Sequence, residues 1–501
     1  MDDAPTGTYA TRELAEKYDA IAYGAQANAQ SHPARLATVA TLLGIAAPPV
    51  ATARVLEVGC SDGANLLPMA ADLPGATFVG CDISPRAIDK ARAGATALGL
   101  GNITFVERDL ATLAGESGTF DYIVAHGVYS WVPAPVRDAL LALAKARLSR
   151  NGILFVSYNV FPGCHVRQAT WQMLHHHVDA IADPRQRLAK ARELAAILAE
   201  PSVAQTDTDA LLRQELAKVA AQTDSALFHD DLAVPNDPLY FHEFAAHLAR
   251  HDLAYLGEAK LSMMTAAGLT PRVQQLVAGM DRLAREQYLD FARLRRFRQS
   301  LACRADAQSN GLSAEARAQS MHVAASMHLA GVVAEGRPFM QEPGPGDVNA
   351  RAMRRVLTWL AQDAPRVMPV AEAMAWLHGA APDEARAARP LPQLLAEAHY
   401  AGTVDLYTEP PRLVPAAGER PVASPIVRWQ GGPHLTNLRH ESLRIDDPTA
   451  LALLKLMDGT RTRGQLADLI APTLPADERG AARERIDMYL RHFALHALLV
   501  G

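Results

Sequence analysis

The stretch Arg54 to Leu67, RVLEVGCSDGANLL, constrains the fold of this chain more than any other. Val55 to Val58 is an apolar run of strand length, Gly59 and Gly63 bracket a turn, and a helix is predicted to begin near Asn65. Gly59 can adopt backbone angles closed to other residues, Gly63 admits a ligand close to the main chain, and the helix behind them offers unpaired N–H groups. A strand, loop and helix unit of this kind is suited to holding a cofactor. Ser61 stands where a dinucleotide fingerprint carries its second glycine, so a nicotinamide-type pyrophosphate loop is poorly matched.

The chain alternates short apolar runs with helical patterns after residue 54. The runs are 54–58, 77–81, 103–106, 121–126 and 153–158, and they predict a parallel sheet with helices on both faces. Beyond Gly163 the period changes to amphipathic helices, with stripes at Trp171, Leu174, Val178 and at Leu188, Ala191, Leu194. Strand character returns at Leu253 to Leu261 and Phe297 to Arg304, expected to supply the last two strands. Clusters of proline and glycine at 337–345, 389–392 and 410–425 read as linkers. At 501 residues, roughly three domains are expected at about 150 residues each. The divisions read as 1–165 (N-terminal helices and strands 1–5), 166–305 (a helical region completing the sheet), 306–420 (a middle helical domain) and 421–501. In the last, LALLKLMDGTRTRGQLADLI is helix, tight turn and helix, the geometry of a winged helix.

Charge and cysteine usage narrow the setting. A net charge of −5 gives no dominating field, and residues 421–501 hold ten Lys or Arg against nine Asp or Glu. A nucleic-acid footprint is therefore not expected, even from a winged helix. No basic leader followed by an apolar core begins MDDAPTGTY, and no apolar run reaches the length of a membrane span, so a cytoplasmic address is expected. The four cysteines lack zinc spacing, and His175, His176 and His177 point three ways on a helix, so no metal is expected.

The acids sharpen the ligand. Asp82 closes the second strand, where a carboxylate can accept both hydroxyls of a ribose, and Asp109 follows the third, placed to meet an adenine amino group or to fix its loop. Glu57, inside the first strand, is expected to orient the glycine loop.

Glu57-x-Gly59-x-x-x-Gly63, Asp82, Asp109 and HGVYSWVP (126–133) resemble a class I S-adenosylmethionine-dependent methyltransferase. More narrowly, YGAQANAQSHPARLATVATLLG, VSYNVFPGCHVRQ, FHDDLAVPNDPLYFHEFA and HLTNLRHE resemble bacterial protein-lysine methyltransferases with a methyltransferase regulatory domain and a C-terminal winged helix. That family often has tryptophan where Cys164 stands and proline where Ala22 stands. The resemblance implies a Rossmann-like α/β core, S-adenosylmethionine as cofactor with S-adenosylhomocysteine as product, and a protein substrate. Cofactor binding would then involve Glu57, Gly59, Cys60, Gly63, Asn65, Asp82, Ile83, Asp109, Leu110 and His126. The acceptor would meet Tyr23, His32, Tyr129, Trp131, Asn159 and His165. Tyr129, Trp131, Tyr158 and His126 are the expected catalytic group, and His126, Tyr158 and His165 all stay open as the base. The alternatives are a small-molecule N- or O-acceptor, a DNA-binding winged helix, and a cofactor-binding scaffold without turnover. A dimer is compatible with the sequence.

Overall fold

The computed structural model describes residues 20–501 apart from 22, 23, 25, 116, 202–205, 345 and 474–480. Ala22 and Tyr23 therefore lie outside the described residues. The expected strands form one seven-stranded sheet: β1 (Arg54–Val58), β2 (Thr77–Asp82), β3 (Ile103–Glu107), β4 (Phe120–Ala125), β5 (Leu148–Asn159), β6 (Leu253–Glu258) and β7 (Phe297–Arg304). Their order is β3-β2-β1-β4-β5-β7-β6. The first five pair parallel, and β7 runs antiparallel between β5 and β6. The order reverses between β1 and β4, which opens a crevice at their carboxyl ends where ligands of such sheets bind.

Alternation along each strand sorts the apolar side chains into two cores. Ile153 and Phe155 of β5 face one core with Val55, Leu36 and Leu66, while Leu154, Val156 and Tyr158 face the other with Leu56, Leu140, Phe241 and Phe244. The helix Phe241–Arg250 covers that second face through Phe241, Phe244 and Leu248, all fully buried. The helices 164–178, 184–199 and 207–220 form a separate cover with their own core around Leu174, Leu188 and Leu216.

The middle region departs from an all-helical expectation. It carries a small antiparallel sheet of β8 (His322–Ala325), β9 (Met368–Pro369) and β10 (Val404–Tyr407), in the order β10-β8-β9. Its core is continuous with the first core of the large sheet, since Val323, Leu360 and Leu406 pack in the same cluster as Leu36 and Val55. The C-terminal region has the expected helices, Pro448–Leu456 and Arg463–Ile470, together with a hairpin of β11 (His434–Thr436) and β12 (Ser442–Arg444). Among the described residues, no helix is long and apolar enough to cross a membrane.

Candidate cofactor and acceptor site

At the end of β1 the chain turns with positive φ at Gly59 (+71°), Ser61 (+48°) and Gly63 (+78°). A Cβ on Gly59 would stand 2.7 Å from Val128 Cγ2, and one on Gly63 2.7 Å from Phe105 Cζ. Both glycines are therefore required by backbone and space together. Asp82 pins this turn: its Oδ2 accepts the Ser61 N–H and its Oδ1 the Ser84 N–H, both at 2.9 Å. Ile83 is half-buried beside it. Asp109 accepts the Ala111 N–H at 3.0 Å and so starts the short helical turn Leu110–Gly115, with Leu110 buried beneath. Cys60 is buried, and burial pushes its thiol well above the ordinary range.

Behind the loop lies a polar network that sequence reading saw only in part. Asn65 donates to Glu57 Oε1 at 2.7 Å and to Ser31 Oγ at 3.0 Å, and its Oδ1 accepts the Asn28 N–H at 2.8 Å. Glu57 Oε2 is buried and has no hydrogen-bond partner. Burial, opposed by the Asn65 bond and reinforced by Asp82, holds the Glu57 carboxyl up at about 8. Asn28 also accepts the Gln30 N–H on its Oδ1, so its Nδ2 is the donor to His126 Nε2 at 3.0 Å. His126 Nδ1 then donates to Ser157 Oγ at 2.9 Å. Burial lowers the pKa of His126 to about 4, so the imidazole is neutral, and both ring nitrogens are engaged within the protein.

Three more of the expected residues have work elsewhere. Tyr129 is buried, packs edge-on to Phe244, and shares a 2.7 Å hydrogen bond with His247 Nδ1, whose Nε2 reaches Asp138 at 2.7 Å. Tyr158 points into the same core and bonds Ser300 Oγ at 2.9 Å. The cover helix Phe241–Arg250 thus takes both tyrosines into packing, which a reading of β4 and β5 alone does not foresee. His32 caps the helix Pro33–Leu42, its Nδ1 accepting the Ala34 N–H at 3.2 Å, and burial lowers its pKa to about 3. Asp138, His247 and His251 bring three metal-capable atoms within 4.8 Å of one another, but the carboxylate already accepts from both imidazoles, which accounts for the grouping without an ion.

Trp131 differs from the tyrosines. It is buried, its Nε1 has no partner, and it lines a cavity of about 280 Å³ with Phe228, Leu232, Val234 and Pro235 of the segment after the helical cover. Asn159, buried at the end of β5, donates to Asn236 Oδ1 at 2.8 Å, one residue beyond the cavity-lining Pro235. His165 is exposed, stacks on Phe161 at 4.1 Å and has Nε2 at 3.3 Å from the Tyr240 hydroxyl.

Comparisons with known proteins agree with this geometry. A methyltransferase domain family matches residues 55–152, a predicted methyltransferase regulatory domain matches 223–304, and a PKMT C-terminal winged helix domain matches 419–488. The uncharacterized protein RP028 of Rickettsia prowazekii is 31% identical over 228 residues, which is 45% of this chain and 91% of that protein. The chain belongs to the class I S-adenosylmethionine-dependent methyltransferases, in the group with this regulatory domain and winged helix. This methyltransferase is also 39% identical to RP789 of the same organism over 307 residues, 61% of its own length and 55% of its relative's. It thus spans about half the length of that relative. The structure of PKMT2 from Rickettsia typhi matches with a TM-score of 0.82 at 22% identity, over 96% of this chain and 100% of that one, a likeness of fold.

The residues present fit S-adenosylmethionine. Val128 packs too close to Gly59 for any side chain there, so the turn keeps its main chain bare, Asp82 offers a carboxylate at the ribose position, and Glu57 Oε2 is an orphaned buried acceptor suited to an ammonium group. A consequence can be measured. An ammonium beside Glu57 favours its carboxylate, so cofactor binding near pH 7 should expel a proton from a group whose unliganded pKa is about 8. Calorimetry of S-adenosylhomocysteine in buffers of different ionisation enthalpy should show that release, and Glu57→Gln should abolish it. Heats independent of buffer would contradict the assignment. The same raised pKa gives the cofactor-free fold a stability contribution fully present below about 4.5, the ordinary glutamate value, and lost as pH rises through about 8.

Proposed function

We propose that this protein transfers methyl groups from S-adenosylmethionine to the Nζ of lysine side chains in a protein acceptor. The observation that carries the reading is the PKMT-type winged helix at 419–488, joined to a regulatory domain at 223–304 that lines the cavity beside Trp131. The bound cofactor supplies an electrophilic methyl on a sulfonium. Asp82 would hold the ribose and Glu57 the ammonium, which fixes the methyl relative to the ends of β4 and β5. The remaining demand on the protein is to align an uncharged amine with that methyl and to exclude water.

A lysine must lose its proton to expose the lone pair. Trp131, Phe228 and Leu232 give the cavity an apolar side, and Arg187 lines it as well, so desolvation and a like charge both disfavour the ammonium. The exposed His165 is the imidazole left among the candidate bases to take the proton. Trp131→Ala should lower turnover by tenfold or more while S-adenosylhomocysteine affinity stays within about threefold, a loss on the order of a catalytic positioning contact. Full activity in that variant would remove Trp131 from the acceptor site. Acceptor class is tested by blocking: lysate protein with its lysines dimethylated beforehand should no longer take up label. Undiminished labelling of small solutes instead would favour a metabolite acceptor.

A further inference from the structure

The winged-helix module contributes one residue to the polar network behind the cofactor loop. His440 lies between β11 and β12, is only 1% exposed, and places its Nε2 2.9 Å from Asn65 Oδ1, 375 residues away in sequence. The direction of that bond is fixed. Asn65 Oδ1 already accepts a backbone N–H from Asn28, so it is the acceptor end, and His440 must donate from Nε2. Burial, together with the His32 ring 5.1 Å away and Arg35, keeps the imidazole neutral, and the bond to Asn65 sets its proton on Nε2.

The loop that presents His440 is built for this placement. His440 has φ +61°, a conformation a non-glycine residue adopts only when its surroundings require it. Asn437 Oδ1 accepts the Arg439 and Glu441 N–H groups, both at 2.9 Å, and the His440 N–H bonds the Asn437 carbonyl at 2.9 Å. Arg439, 5% exposed, reaches across to the Ala325 carbonyl at 3.1 Å and to Asp405 at 3.0 Å. Ser442 Oγ bonds the Ala27 carbonyl at 3.1 Å, and Glu441 pairs with Arg35 at 3.2 Å. The module is thus tied both to the middle region, through Ala325 and Asp405, and to the N-terminal segment, through Ala27 and Arg35.

We propose that His440 is a positioning residue of the cofactor site, through which the winged-helix module holds Asn65 and hence the Glu57 carboxyl that receives the amino-acid end of S-adenosylmethionine. The inference rests on the cofactor being S-adenosylmethionine and is independent of the acceptor. The winged-helix module, whose Lys and Arg are nearly balanced by Asp and Glu, here serves as a lock on the donor site, so undocking it would weaken cofactor binding selectively at the charged end.

The test compares two probes by calorimetry on the full chain. S-adenosylhomocysteine carries the amino-acid end, and 5′-methylthioadenosine has the same nucleoside and thioether without it. His440→Ala should weaken S-adenosylhomocysteine on the order of tenfold, the scale of a lost buried hydrogen bond, and leave methylthioadenosine within about twofold. His440→Gln, which shares the backbone constraint and restores a donor, should recover most of the loss. Equal weakening of both probes, or no weakening of either, would overturn the proposal; a wild-type protein that bound neither would instead overturn the cofactor reading.

Discussion

Replacing Asp82 by Ala is expected to weaken S-adenosylhomocysteine binding by about 1.5 to 3 kcal/mol, or roughly tenfold to 150-fold. Two losses combine. The carboxylate that would accept the ribose hydroxyls disappears, and so do the 2.9 Å bonds that hold Ser61 and Ser84 in place. Ser61 keeps φ +48° at a cost any serine bears, so the loop relaxes once its N–H is released. Asp82→Asn should fall between wild type and Ala, because the amide can still accept on its oxygen. Unchanged affinity by calorimetry would remove Asp82 from the cofactor site.

Replacing Arg298 by Ala should have the largest effect on stability, about 3 to 5 kcal/mol. Its guanidinium is fully buried on β7, bonded to Glu258 at 2.6 Å, to Asp290 at 2.8 Å and to Glu286 at 3.1 Å, and it lies 4.1 Å above the Phe241 ring. Without it, three buried acids would share Arg295 alone, whose Nε lies 3.1 Å from Asp290. Burial already pushes Glu286 and Asp290 up, while the arginines hold Glu258 down. The unit joins β6, β7 and the helix Arg282–Arg293, so its loss should loosen the antiparallel edge of the sheet and, through Ser300, the core around Tyr158. Thermal unfolding should shift down by roughly 10 °C. A shift below about 2 °C would mean that the cluster contributes little net stability.

The parallel strands were legible because buried strands announce themselves as apolar runs bounded by turn residues, and all five expected runs became β1 to β5 within a few residues. The glycine turn after β1 was legible for the same local reason. Interactions between distant segments left no such trace. HLTNLRHE could be singled out as a string, but nothing in it says that His440 reaches Asn65, and Asn28 and Ser31 carried no signal beyond their polarity. Tyr129 and Tyr158 occupy the expected strand ends, yet their side chains answer to Phe244, His247 and Ser300 on elements far along the chain. The strands β8 to β10 escaped notice because runs of two to four residues are too short to show a period. Trp131 could be named from HGVYSWVP, but the cavity it lines with Phe228, Leu232, Val234 and Pro235 is built by residues about a hundred positions later and leaves no local trace.

Protein lysine as the acceptor can be tested on the reaction product itself. The most direct measurement incubates the full-length protein with methyl-labelled S-adenosylmethionine and cell lysate, separates macromolecules from small solutes, and hydrolyses the macromolecular fraction. Methyl-lysine carrying the label, absent with Asp82→Ala, is the predicted result. Label confined to small solutes would contradict it.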